Sequence, residues 1–222
     1  MILDFPTQAM TLYSLFLKGG PVMWPLLAAS VAALAVAIER MLFLLRHLEV
    51  AQPDLVREIL LHVEAGEIQE ALTKGRRSQD PVVRVLVRGL MNRGRSLSGA
   101  LVRAASEELE HFGRGIPTLD TIVTLAPLLG LLGTVTGMVR AFGMMGGREL
   151  EASAAITGGI AEALIATAFG LMIAILSLVP LNILNASFSK TKRKIEQAAT
   201  ELEHLWVPDE NPLRISSAPS AN

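Results

Sequence analysis

The stretch from Thr121 to Val139, bounded by Asp120 and Arg140, contains no charged residue, and it limits what this chain can fold into more than any other feature. Its nineteen residues would reach ~28 Å as a helix, close to the hydrocarbon thickness of a bilayer. Its composition is not that of plain lipid filler. Gly130, Gly133 and Gly137 fall at small-residue spacing, which lets another helix approach the backbone closely, and Gly159 and Ala163 repeat that spacing further along. Thr134 and Thr136 place hydroxyls in the same zone. A span that only anchored a protein would have no use for this mixture.

Two more apolar runs flank it. Val22 to Ile38 is uncharged, with Trp24 at interface depth and Pro25 in a first helical turn. Ala152 to Ser189 has one charge, Glu162, in 38 residues. At 51% hydrophobic and 18% charged residues the whole chain is too apolar for an ordinary soluble domain. A net charge of -1 gives no nucleic-acid footprint. The lack of cysteine excludes disulfides, iron–sulfur clusters and thiolate zinc sites. No P-loop, HExxH or GxSxG motif occurs, so neither an enzyme nor a cofactor is expected. His47, His62, His111 and His204 lie scattered in polar segments and read as exposed surface residues, not metal ligands.

In order, residues 1–20 read as an amphipathic segment on the membrane surface, with Met10, Leu12, Leu15, Phe16 and Leu17 on one side. Asp4 and the absence of a basic leader speak against a cleaved signal peptide. Residues 21–45 form the first span, with Glu39–Arg40 expected to snorkel as an interfacial pair. Residues 46–117 are charged and helix-periodic, broken at Gly75, Asp80-Pro81 and Gly94. Their modest apolar faces suit helices packed against neighbours better than an independent enzyme core, and Arg93, Arg95 and Arg103 read as a solvated face. Residues 118–142 are the second span, where Pro127 predicts a kink and Thr121 or Thr124 could satisfy the freed carbonyl. Asp120 and Thr124 share a face one turn apart. A short loop, 143–153, leads to the third span and its cytoplasmic extension, 154–189. Lys190, Lys192, Arg193 and Lys194 are expected to stop that helix before a polar helix, 190–206, and a disordered tail, 207–222.

Basic residues set the orientation. Segment 46–117 holds eleven Lys/Arg and the tail five, against Lys18 alone at the N-terminal end and Arg148 alone in the loop. The positive-inside rule then puts the N-terminus and the 143–153 loop outside, with the large segment and the C-terminus in the cytoplasm. The expected class is an all-α integral membrane protein of three spans with long cytoplasmic helical extensions.

An ionisable group inside a span is a functional hypothesis by default, and Glu162 is the one that lies deep in an apolar run. Spans two and three form an antiparallel hairpin about a loop centred near position 148, which puts Thr134 level with about position 162 and Thr167 about one and a half turns deeper. Two threonines and a carboxylate thus share one layer, where hydroxyls can pass a proton or merely join helices. Glu162 and Thr167 lie on different stripes of their helix, so one chain alone does not provide a straight relay.

The segment Ala126-Pro-Leu-Leu-Gly-Leu-Leu-Gly-Thr134-Val, together with Gly158-Gly-Ile-Ala-Glu162-Ala-Leu-Ile-Ala-Thr167-Ala-Phe-Gly-Leu171, resembles the ExbB/TolQ branch of the ExbB/TolQ/MotA proton-channel family. The resemblance covers all three spans and the large segment between the first two; the flagellar MotA branch has four spans. It implies a homopentamer in a bacterial inner membrane around an ExbD/TolR-like partner, whose single span carries an aspartate that takes and releases protons. It also implies contact with an energy-transducing protein of TonB or TolA type. The family's pore threonines fall on Thr134 and Thr167, and its third-span glutamate on Glu162. Two departures stand out. Leu176 occupies a position where relatives commonly have proline, with Pro180 one turn later. Thr136 replaces a frequent tryptophan and adds a hydroxyl near the pore. Other readings of the same chain are a passive channel or transporter, or a membrane scaffold, acting without such a partner.

Overall fold

The computed structural model describes residues 13–94, 96–143 and 149–206. Most of the N-terminal surface segment, the centre of the 143–153 loop, Arg95 and the tail from 207 lie outside the described residues. The chain divides into two compact units, residues 1–46 with 113–188, and residues 47–112 with 189–222.

The first unit holds the apolar helices. A short helical stretch at 13–18 ends at Gly19–Gly20, where Gly20 has a φ of 73°. Helix α1, Met23–Val50, follows and presents Leu27, Val31, Leu34, Ile38, Leu42 and Leu45 outward. Phe16 meets Trp24 edge to face at 5.3 Å, fixing the break against the start of α1. Helix α6, Ile116–Gly143, buries Leu119, Ile122, Ala126, Gly130, Gly133, Gly137 and Ala141, a stripe at three- and four-residue spacing. Its other face shows Leu128, Leu131, Val135, Val139 and Phe142. Helix α7, Glu149–Leu205, likewise exposes Leu164, Leu171, Ile175 and Val179. Among the described residues, three helices are long and apolar enough to cross a membrane. Outward faces this apolar are unstable in water and need lipid or other helices.

Three sequence expectations change along these helices. Helix α7 runs unbroken through Lys190–Lys194, because charge alone does not end a helix and neither glycine nor proline occurs from Leu181 to Leu205. Thr121 and Thr124 do not serve Pro127: Thr121 donates to the Pro117 carbonyl at 2.8 Å, and Thr124 to Thr121 at 2.9 Å and to Asp120 at 3.2 Å. Each bonds one turn back along its own helix, which is the nearest acceptor a helical threonine finds. Arg40 does not snorkel. It is 9% exposed, while Glu39 stays in the open.

The second unit assembles α2 (Pro53–Glu64), α3 (Ile68–Gly75), α4 (Pro81–Met91) and α5 (Leu97–Gly113) with the end of α7. Asp80 caps α4 by accepting the Val82 N–H at 2.8 Å, and its second oxygen accepts the Gln52 N–H at 2.6 Å, tying the start of α2 to that of α4. Ile59, Leu86, Leu90, Leu101, Ile195 and Leu202 are almost wholly buried together. These helices enclose a core together with the end of α7, and their apolar faces are fuller than the sequence pattern suggested. Helix α4 alone buries Val82, Val83, Val85, Leu86, Val87 and Leu90, and the other helices close over it. Glu108, 3% exposed, takes Arg84 at 3.0 Å and Arg88 at 3.6 Å. Glu108→Ala is expected to lower the melting temperature of the purified protein more than Glu107→Ala, since only the former leaves a guanidinium facing a vacated buried site. Equal shifts would mean that the Glu108 contacts contribute nothing special.

Arg93 is likewise not simply solvated: it donates to the Leu90 carbonyl at 2.7 Å and lies 5.5 Å over the Trp206 ring. Arg103 is exposed, as expected.

Candidate functional site in the second and third spans

The stripe of small residues on α6 meets a matching stripe on α7, Gly159, Ala163, Ala166 and Gly170. A Cβ added to Gly133 would lie 2.4 Å from the Ala166 Cβ, and one on Gly137 would lie 2.9 Å from the Gly159 carbonyl oxygen. From the other side, a Cβ on Gly159 would meet Ala141 at 2.6 Å, and one on Gly170 would meet the Ala126 carbonyl at 2.6 Å. The close approach read from Gly130, Gly133 and Gly137 is thus made to α7 of the same chain, with Ala163 buried opposite Gly137. Neighbouring Gly158 has nothing within 4 Å. Gly159→Leu should therefore prevent the hairpin from closing, while Gly158→Leu leaves an isolated protomer intact. Thermal unfolding of the purified protomer reads the difference, and equal melting temperatures for the two variants would contradict this packing.

Thr167 stands in this seam. Its hydroxyl lies 3.1 Å from the Gly130 carbonyl across the interface and 3.2 Å from its own Ala163 carbonyl. One proton is shared between two acceptors, and the oxygen keeps its lone pairs for a further donor. Thr134, half-buried, donates 2.7 Å to the Leu131 carbonyl, and Thr136 donates 3.1 Å to the Gly133 carbonyl. Because Gly133 faces Ala166, Thr134 is level with about position 165, nearer Thr167 than the loop-centred register suggested. The two threonines come together along the hairpin, and Glu162 falls about one turn away from them.

Glu162 has a partner that sequence reasoning missed. Arg140, read there only as the charge ending an apolar run, donates to the Glu162 Oε1 at 2.9 Å. Glu162 is the less exposed of the pair, 18% against 42%. Gly20 adjoins the same carboxylate, and any side chain there would overlap Oε1. Its positive φ adds a second reason for glycine. The loop-centred register set Arg140 level with about position 156, more than a turn and a half from Glu162, so the pair depends on the reach of the arginine and gave only a weak signal. The Gly19-Gly20-Pro21 break gave no hint that it would fold back onto the third span.

The four histidines divide. His111 and His204 are exposed, whereas His47 and His62 are half-buried. His62 lies with Glu67 and Glu70, their ligand atoms all within 4.8 Å of one another. Its Nδ1 sits 2.8 Å from Glu67, and its Nε2 lies 3.0 Å from the Lys74 ammonium. Lys74 also pairs with Glu58 and holds that carboxyl below its usual pKa. A cation beside the ring opposes a second cation among these ligands.

Comparison with known proteins agrees with this architecture. Residues 77–197 match the model of the MotA/TolQ/ExbB proton channel family. The biopolymer transport protein ExbB-like 1 of Synechocystis sp. is 37% identical over 225 residues, covering 94% of this chain and 86% of the relative. The Tol-Pal system protein TolQ of Haemophilus influenzae is 39% identical over 37% of this chain and 36% of its own length. The biopolymer transport protein ExbB of Salmonella typhimurium is 36% identical over 45% of this chain and 41% of its own. These relatives and the three apolar helices make the chain a multi-pass membrane protein, and the family they share is one of proton channels. With its spans, its glycine seam and its relatives in agreement, this chain belongs to the MotA/TolQ/ExbB proton channel family, on the ExbB/TolQ side.

Proposed function

We propose that the chain forms a homopentamer in the bacterial inner membrane, N-terminus outside and C-terminus in the cytoplasm, around a single-span ExbD/TolR-like partner. The partner's membrane aspartate carries protons past Thr134 and Thr167, and the energy released moves the partner. A TonB- or TolA-like protein then passes that movement on. One observation carries the reading: from Gly130 to Gly137 on α6 and from Ala163 to Gly170 on α7 every side chain is apolar apart from hydroxyls at Thr134, Thr136 and Thr167, whose oxygens can still accept a hydrogen bond from a partner. The chain provides acceptors and no complete relay, which suits a ring closing on a proton carrier that it does not itself supply. The exposed leucines of α6 and α7 supply the surface through which copies and lipid cover the hairpin. A charge crossing the membrane releases ~2.3 kcal/mol per 100 mV, enough to bias the partner between positions over successive crossings.

In this scheme the Arg140–Glu162 pair lies outside the threonine layer and shapes the outer mouth of the path. Glu162→Gln and Arg140→Ala should each lower proton flux in part, with some loss of assembly, while Thr136→Val leaves most of it. A Glu162→Gln complex as inactive as a threonine-free one would make the carboxylate a step in the path instead. Topology has its own test. Reporters fused after Lys194 or within 60–110 should read as cytoplasmic and one at Gly146 as external. A cytoplasmic Gly146 would overturn the three-span orientation.

A further inference from the structure

In sequence Asp120 bounds the apolar run of the second span, but the packing of the three spans sets it at an apolar depth. A Cβ on Gly133 would stand 3.8 Å from Val22 of the first span, and one on Gly115 would stand 2.9 Å from a Val36 methyl. The two helices are therefore antiparallel, in a register that sets Asp120 level with about Leu34. That is ~7 Å deeper than Glu39, the first charge of α1. On α7, Thr167 against Gly130 and Phe188 against Gly113 set Asp120 level with about Leu178, ~18 Å short of Lys190. At this depth α1 and α7 present exposed leucines, Leu34 and Leu178. Asp120 is exposed as well, and its carboxylate meets no ion-pair or hydrogen-bond partner among the described residues. Only its backbone carbonyl is engaged, by the Thr124 hydroxyl. Glu162, near the other end of the hairpin, is by contrast held by Arg140. Between the threonines Thr134 and Thr167 and the charges Arg114 and Lys190, Asp120 is the one ionisable residue of the two helices. It precedes Thr134 by nearly four full turns, so the two share a face of α6 ~21 Å apart.

An unpaired carboxylate at hydrocarbon depth is costly against lipid tails and is tolerated where it faces water or the interior of a bundle. We infer that Asp120 faces a water-filled inner mouth of the ring and takes up protons there, the last ionisable group they meet before the cytoplasm. This rests on the ring and the orientation proposed above. The partner's aspartic acid gives its proton through water to the Asp120 carboxylate, one O–H bond breaking as another forms. Protonated Asp120 then returns the proton to water on the cytoplasmic side and is ionised again. The face of α6 that begins with a hydroxyl at Thr134 thus ends with a group that can itself hold and release a proton.

The chain has no cysteine, so Asp120→Cys and Leu34→Cys each supply a sole thiol at one depth. Membrane vesicles holding the full chain with its partner are treated with a membrane-impermeant sulfonate thiol reagent on one face or the other, and labelling is read from the mass of this chain. Asp120→Cys should be labelled from the cytoplasmic face, and Leu34→Cys from neither. No labelling of Asp120→Cys from either face would overturn the inference. Equal labelling of both variants would overturn it too, by placing this depth among the headgroups. Labelling needs no proton flux, so either failure leaves the threonine path standing. Flux per assembled ring should fall about 100-fold in Asp120→Asn, the lower end of what a positioned proton-transfer group contributes, and Asp120→Glu should restore most of it. If the carboxylate only complemented the positive start of α6, Asp120→Asn would lower the melting temperature and ring abundance at unchanged flux per ring. That result would overturn the inference as well.

Discussion

Replacing Thr167 by valine is expected to abolish proton flux through the assembled complex while leaving the ring in place. Valine matches threonine in shape, so the α6–α7 seam keeps its packing. What is lost is a hydroxyl poised between the Gly130 and Ala163 carbonyls. If that hydroxyl only joined helices, its removal would cost on the order of 0.6 to 1.7 kcal/mol of association and reduce activity only as assembly falls. If it hands protons to a carrier, flux falls by orders of magnitude at unchanged assembly. Serine, which keeps the hydroxyl, should restore much of it. The measurement is flux per assembled ring, with ring abundance from native mass spectrometry. Thr134→Val should behave alike, and a Thr134→Val, Thr167→Val double variant with full flux would reduce both residues to packing.

Gly133→Leu should have the other large effect, by a different route. Even one methyl at this position would lie 2.4 Å from the Ala166 Cβ, with Val22 of the first span 3.8 Å away. Ala166 is itself fully buried, so neither side can yield. Overpacking of a tight interior costs about 1–3 kcal/mol where the surroundings can relax, and more where backbones must separate. The spans should still insert, since leucine favours the bilayer. They should not form the hairpin, so rings disappear while membrane-integrated chain remains. Rings at wild-type abundance would mean that the α6–α7 contact is looser than its glycines imply.

The three spans were legible because each is an apolar run whose ends are marked by charge or by a Gly-Pro break. The hairpin was legible too, since a short loop leaves consecutive spans antiparallel. Its register was close: Gly137 against Gly159 and Gly170 against Ala126 fit the loop-centred alignment, and what the loop could not tell was which faces interlock. Gly133 opposite Ala166 sets that. Less visible was anything that depends on which long side chain reaches which. Arg140 looked like a boundary charge and turned out to hold Glu162. Arg40 looked like a snorkelling residue and lies buried against Gly115. The core around Leu86 and Leu101 was hidden for another reason: it joins the short helices to the far end of α7, distant in sequence, so no single segment announces it. The continuity of α7 through its lysine cluster was missed because charge was taken for a stop signal.

The central claim is that protons pass along a path completed by a partner helix, and reconstitution tests it most directly. The chain alone, and the chain co-purified with its single-span partner, would be placed in proteoliposomes under an imposed pH gradient and membrane potential, with an internal pH dye as readout. The account predicts no flux above background for the chain alone. It predicts proton flux for the pair, lost when the partner's membrane aspartate becomes asparagine and when Thr134 and Thr167 both become valine. Flux from the chain alone that ignores those substitutions would contradict it.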